Sequence, residues 1–420
     1  MKEPRITRVR NGVPFESAAL PSPERALELY FRSAQLRAPQ EETIGLDRAL
    51  GRVLARPIIS DGDYPAAPRS TMDGFAVRAS ETPGRFEIAG QIQMGRQSTQ
   101  PLEARAAVHI PTGGTLPAGA DCVVPIEGVE QDGEAIVVHH AIPDGDCVHA
   151  AGADMRAGEL LLSAGRRIGG PELGVLATLG YARICVYRIP VFAILSSGDE
   201  LVEVDAAPSE AQVRDSNSYA IGGTLEAMGA HARRFPRVPD DPLVLERTLG
   251  DAIARTDGVV ISGGSSVGPR DFTPEIIDRM GKPGVLVHGL KVKPGKPTVL
   301  ASVDGKPVIG LPGNPASALV VLEAVASAIV GALTGAPANC AIVEAVMAAP
   351  YSKRPGWTWY VPMRLEREGA AIRAFPYEIR SANVSLFARA SGFAALGEAV
   401  ELLAAGDRVQ VRRFSRGGAP

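Results

Sequence analysis

Cysteine is scarce. The four in 420 residues, Cys122, Cys147, Cys185 and Cys340, lie far apart with no C-x-x-C pair. That excludes a zinc ribbon or a dithiol redox centre and argues against a disulfide-dense scaffold, so a reducing cytoplasm is the expected setting. The six histidines are scattered apart from the adjacent His139-His140, with no metal-ligand spacing. Neither sign of charge dominates: 44 Lys and Arg against 47 Asp and Glu leave a net charge of -3. Nucleic-acid binding and polybasic membrane attachment are therefore not expected, and the partners should be small molecules or proteins. The basic opening MKEPRITRVRNG lacks the apolar core of a signal peptide. One apolar run, SALVVLEAVASAIVGALTGA at 317–336, is long enough for a bilayer. It carries Glu323, is rich in alanine and follows a Pro/Gly turn, so a buried helix of an α/β domain is the expected form. Neither common nucleotide signature is present: Pro269-Arg270 stand where a P-loop needs Lys and Ser/Thr, and the G-x-G-x-x-G register is not met.

What the chain does contain falls into blocks. SPERALELYF reads as a helix start, with Ser22 as N-cap and Pro23 at the first helical position. Residues 60–154 alternate short apolar runs with Gly, Pro and Asp, the pattern of a β-rich domain with many turns. Segments 40–59 and 155–185 join it to the rest, the second with a helix expected near 171–179. In 186–334, together with 18–39, strand, small-residue turn and helix recur, predicting parallel strands with crossover helices that include TVLAS and KPVIGL as strands. Residues 335–420 return to β character, with RVQVRRF as a final strand.

In a parallel α/β sheet, ligands gather beyond the carboxyl ends of the strands. Three apolar runs end there in small-residue turns: SSGDEL, SGGSSVGPRD and LPGNPAS. Together they offer backbone amides and the polar groups of Ser196, Ser197, Ser265, Ser266 and Asn314 to an anionic heterocycle. Acids gather in the same turns: Asp199, Glu200, Asp215, Asp240, Asp241 and Asp271. Any one could cap a helix, as Asp215 could, or be a solvated surface group. Beside an anion site, carboxylates imply a bridging hard cation, Mg2+. Lys291, Lys293 and Lys296 of KVKPGKP cluster where Pro294 and Pro297 stiffen the backbone, which suits an oxyanion; a solvated lysine loop is the alternative.

These motifs resemble the molybdopterin molybdenumtransferases, the MoeA type related to the E-domain of gephyrin. STMDGFAVR, HIPTGGTLPAGADCVVPIE, GADMRAGELLL, LSSGDEL, RDSN, SGGSSVGPRD, KPGKP and GLPGNPAS occur in family order over about 18–413. The resemblance implies an elongated, cytoplasmic homodimer of four-domain subunits. It further implies a parallel-sheet α/β molybdopterin-binding domain, a β-rich N-terminal domain facing the partner's cleft, and a C-terminal domain like a β-barrel. The implied reaction inserts molybdenum from molybdate into adenylylated molybdopterin and releases AMP with Mg2+. Implied protein partners are a molybdopterin adenylyltransferase and a recipient molybdoenzyme.

Carried over by motif, Asp271 and Asp240 hold the metal, and Ser266 lies with Asp271 at the adenylate edge of the pocket. Lys293 and Lys296 hold molybdate or phosphate oxygens, while Asp73, Asp154, Thr112 and Glu200 match functional acidic and polar positions. Ser196, Ser197, Gly263, Gly264, Pro312, Gly313, Asn314, Pro315 and Ser381 contribute to binding. The chain departs from the family pattern at Pro269, where Asp is usual. It does so again at Trp357 and Val361, where Arg is frequent, at Ser391, and at His109 and Phe75. Ser381 and nearby Arg380 or Arg389 are the substitutes available for the basic groups missing from the C-terminal domain. The departures leave open a second reading, a paralogue that binds molybdopterin or its adenylate as a carrier or assembly scaffold without turnover.

Overall fold

Ser22 starts the first helix, α1 (Pro23–Ser33): its Oγ accepts a hydrogen bond from the Arg25 amide, and Pro23 fills the position that needs no donor. Ala26 and Tyr30, one helical turn apart, form its buried face. The computed structural model describes residues 20–96, 100–264, 272–336, 341–378 and 382–415. The chain forms two units, one of residues 44–184 and one of 1–43 with 185–420.

The 44–184 unit is built on β1 (Gly74–Val77), β2 (Gly84–Gln91), β3 (Ala106–Ile110), β4 (Cys122–Pro125), β5 (Glu130–Asp132) and β6 (Ala135–Val138). They form one mixed sheet in the order β4-β1-β3-β2-β6-β5. Side chains alternate across it. Phe75 and Val77 pack with Phe86, Ile136 and Val138 on one face, whereas Ala76 packs with Ile92, Ile110 and Val123 on the other. This two-sided burial explains why β1 reads as a continuous apolar run. Helix α2 (Gly170–Thr178) closes the unit, with the Glu172 carboxylate accepting from the Gly169 amide and from Arg166.

The second unit centres on a sheet of β7 (Val191–Ser196), β8 (His231–Arg234), β9 (Gly258–Ser262), β10 (Pro283–His288), β12 (Val299–Val303) and β13 (Lys306–Leu311), in the order β8-β7-β9-β13-β12-β10. The short β11 (Val292–Lys293) lies outside it. The first four strands of that order are parallel, with α3 (Asn217–Ala227) and α4 (Pro242–Arg255) as crossovers. Towards the other edge, KPVIGL runs parallel to β9 as expected, but a hairpin and not a crossover joins it to TVLAS, so that those two strands are antiparallel to each other. They are β13 and β12, joined at Asp304-Gly305 with φ of 50° and 81°. Two positive φ values in a two-residue loop give the twist that a tight hairpin needs, and Asp-Gly supplies them. Helix α5 (Thr273–Met280) covers one face with α4, while α1, α3 and the segment after β13 cover the other.

That segment, Pro315–Thr334, runs as α6 (Pro315–Val321), a π-helical turn at Leu322–Ala326 and α7 (Ser327–Thr334). It is long and apolar enough to cross a membrane. Here it is core: Ala318, Val321, Leu322, Val325, Ile329 and Val330 are all fully buried against the sheet and α1. Five further strands, β14 (Ile342–Met347), β15 (Thr358–Glu368), β16 (Ala371–Pro376), β17 (Gly392–Leu396) and β18 (Arg408–Arg413), pair in the order β15-β16-β14-β18-β17, and β17 returns to β15. The ring closes around Met347, Val361, Met363, Ala374 and Val411, a small barrel.

Candidate functional site

The carboxyl ends of β7, β9 and β13 open into one cavity of about 890 Å3. It is lined by Ser196, Ser197, Gly198 and Glu200 after β7, Ser262, Gly263 and Gly264 after β9, and Pro312, Gly313, Asn314 and Pro315 after β13. The turns stack directly on one another. The Ser197 amide donates to the Ser262 carbonyl (2.9 Å) and the Gly263 amide to that of Leu311 (3.3 Å). Gly263 has φ of 91°, and a Cβ there would lie 2.1 Å from the Ser197 carbonyl oxygen. Only glycine lets these two backbones approach so closely. A Cβ on Gly313 would in turn rest 3.5 Å from the Gly263 Cα.

Two helices begin at the cavity wall, α3 at Asn217 and α6 at Pro315. Their amino ends carry partial positive charge. The Ser196 hydroxyl is buried at the cavity wall without a hydrogen-bond partner among the described residues, a polar group suited to a ligand. Asn217 was not singled out from the sequence, yet its Nδ2 donates both to Ser262 Oγ and to the Gly313 carbonyl, at 2.8 Å each. One amide thus ties the end of β9 to the turn after β13. Asp215 is a cap, accepting from the Ser218 amide at 3.0 Å.

The acids of PDD have separate roles. Asp241 caps α4, accepting from the amides of Leu243 and Val244. Asp240 lines the cavity, 3.4 Å from Ser197 Oγ. Asp240 and Glu200 face the same space, and among the described residues neither has a cationic partner. No group of three or more Asp, Glu, His or Cys that could enclose a metal occurs among the described residues. Mg2+ needs no such cage, because it takes one or two carboxylates and completes its shell with phosphate oxygens and water. The donor set fits that ion.

Of the three loop lysines, Lys291 is tied to Glu398 at 2.6 Å. Lys293 lies exposed, with its ammonium 4.1 Å from the centre of the Trp359 ring. Neither Lys293 nor Lys296 lines the cavity, although Pro297 does. Asp73, Thr112 and Asp154 belong to the 44–184 unit. There the Thr112 amide donates to Asp73 Oδ1 at 2.8 Å, and Asp154 is exposed. Asp271, Ser266 and Ser381, together with Ser265, Pro269 and Arg380, lie outside the described residues. The departures at Val361 and Ser391 have structural uses: Val361 is in the barrel core, and Ser391 Oγ accepts from the Leu365 amide.

Three family models match in order: the MoeA N-terminal region (domain I and II) over 21–180, a probable molybdopterin binding domain over 193–332, and the MoeA C-terminal region (domain IV) over 344–414. A molybdopterin molybdenumtransferase of Bacillus subtilis is 31% identical, covering 89% of each chain. The chain belongs to the molybdopterin molybdenumtransferase family. Another relative of that name, from Nostoc, is 34% identical, covering 72% of each chain. Among solved structures, a molybdopterin biosynthesis MoeA protein of Pyrococcus horikoshii superposes with a TM-score of 0.82 at 30% identity, covering 94% of this chain and 99% of that one. The cavity described above falls within the part of the family matched by the molybdopterin-binding model, apart from Ala382 and Val384.

Proposed function

We propose that this chain transfers molybdenum from molybdate to adenylylated molybdopterin and releases AMP with Mg2+. Family membership gives it the part of a transferase in molybdenum cofactor biosynthesis. The observation that carries the finer reading is the cavity, in which three glycine-bearing turns, two helix amino ends and two carboxylates without a cationic partner among the described residues face one space. Backbone amides and helix dipoles suit a multiply negative guest. A volume of about 890 Å3 is in the range of sites for ligands of nucleotide size.

Asp240, with Asp271 as the expected second carboxylate, would hold Mg2+ against the substrate diphosphate. The ion's contribution when bound is neutralisation of charge on the phosphoryl oxygens. The protein's own part is positioning. Asn217 keeps the two turns at fixed separation, Gly263 allows their backbones to meet, and the buried Ser196 hydroxyl is available to the pterin nucleotide. Lys293 and Lys296 would hold molybdate oxygens.

The test is incubation of the purified chain with adenylylated molybdopterin, Mg2+ and molybdate. Molybdate-dependent AMP release is expected, with loss of that release in Asp240→Asn and Asp271→Ala. Tight binding of the adenylate without release would replace this reading with that of a carrier.

A further inference from the structure

The chain has two tryptophans, and each lies under a lysine of the KVKPGKP loop: Lys293 Nζ is 4.1 Å from the Trp359 ring centre and Lys296 Nζ 5.8 Å from that of Trp357. Strand pairing produces the first contact. β11 runs parallel to β15 with Val292 opposite Thr358 and Lys293 opposite Trp359. Val292 and Thr358 are buried, so alternation turns Lys293 and Trp359 together to the other side. The backbone beneath the rings is fixed from both ends. The Thr358 amide donates to the Lys291 carbonyl at 3.1 Å, and the buried Lys353 donates to the Trp357 carbonyl at 2.9 Å. Tyr351 packs edge-on against Trp359, with ring centres 6.4 Å apart.

A ring face and a carboxylate hold an ammonium with different consequences. Glu398 neutralises Lys291 and so removes it as an anion ligand. An indole has no net charge; it attracts the ammonium through its quadrupole and leaves the full positive charge in place. It also narrows the conformations of a side chain that is otherwise flexible. We infer that Trp359 is a positioning residue that pre-sets the Lys293 ammonium for an oxyanion without discharging it. The inference rests on the oxyanion-binding part of the proposed function.

Sodium molybdate titrated into the full chain by calorimetry at constant ionic strength tests this. Trp359→Leu removes the ring face and should weaken molybdate about three- to fivefold. Trp359→Phe retains a face and should stay within about twofold of the unaltered chain. Affinity for adenylylated molybdopterin should be unchanged in both, because neither tryptophan lines the cavity. In Trp357→Phe, Trp359 becomes the sole indole, and its emission should change saturably with molybdate. Equal molybdate affinity in the unaltered chain and Trp359→Leu would overturn the positioning role alone, as would a Phe variant as weak as the Leu variant. No molybdate binding by the unaltered chain would overturn the oxyanion reading and this inference with it.

Discussion

Gly263→Ala is the sharpest test of how the cavity is assembled. At φ of 91° an L-residue is strained by about 1–2 kcal/mol. Its Cβ would lie 2.1 Å from the Ser197 carbonyl oxygen, a backbone atom held in place because the Ser197 amide is bonded to Ser262. The turns must therefore separate, and a forced insertion of this kind adds about 1–3 kcal/mol. The sum, about 2–5 kcal/mol, corresponds to a fall of roughly 3–9 °C in the melting temperature of a unit of this size. Gly313→Ala is the control: its Cβ would make an ordinary contact at 3.5 Å, so melting should move by no more than about 2 °C. Gly263→Asn separates the two costs. Asparagine tolerates positive φ but brings the same Cβ, so it should be nearly as damaging as alanine. Differential scanning calorimetry of the three variants, with titration of adenylylated molybdopterin, measures both stability and site. A Gly263→Asn variant that melts like the unaltered chain would falsify the steric argument, leaving only conformational strain.

Three further outcomes are expected. Asp241→Ala should cost about 1 kcal/mol by uncapping α4 while sparing AMP release. Asp240→Asn should do the reverse, and a shared effect on both measurements would contradict the division of labour between these neighbours. Asn217→Ala strips a donor from the Gly313 carbonyl and Ser262 Oγ, a loss of about 1–3 kcal/mol. Asn217→Asp should be worse, since it sets an anion against that carbonyl; equilibrium binding of the adenylate would show whether the order holds. Burial raises the pKa of the Glu323 carboxyl above its ordinary 4.5, against the lowering effect of its bonds from Ser415. The folded state therefore holds this proton more tightly than the unfolded chain. Its contribution to stability is complete below pH of about 4.5 and is lost as pH rises through the elevated value. Glu323→Gln should melt higher than the unaltered chain at pH 8 and much like it at pH 4, and equal melting at both would remove Glu323 from the pH dependence.

The turns after β7, β9 and β13 were legible because three of them follow apolar runs in one α/β domain; a single glycine and serine turn of this kind is more often a plain connection. Their meeting at one cavity follows from parallel strands. Asn217 lies in the RDSN motif, but its role was not legible. Its two partners lie 45 and 96 positions away and are a hydroxyl and a backbone carbonyl, which leave no local sign of what the side chain ties together. The β12–β13 hairpin carried its own signal in Asp304-Gly305, but the repeated strand-turn-helix rhythm before it suggested another crossover. The placement of Lys293 on Trp359 depends on the register of a two-residue strand against one some sixty-five positions later. Short parallel pairings of this kind are set by tertiary packing and leave no periodicity to read.

Helix α1 buries Ala26 and Tyr30 among residues that begin at Phe192, and the whole 44–184 unit lies between them in the chain. During translation, at about 5–20 residues per second, roughly 160 residues must emerge before the helix meets its partners, a delay of about 8–30 s. For that interval its apolar stripe is exposed at the ribosome while the intervening unit can already fold. The insertion that keeps the ends of the α/β unit apart in sequence thus leaves the first helix of the newborn protein without its tertiary partners for a defined interval.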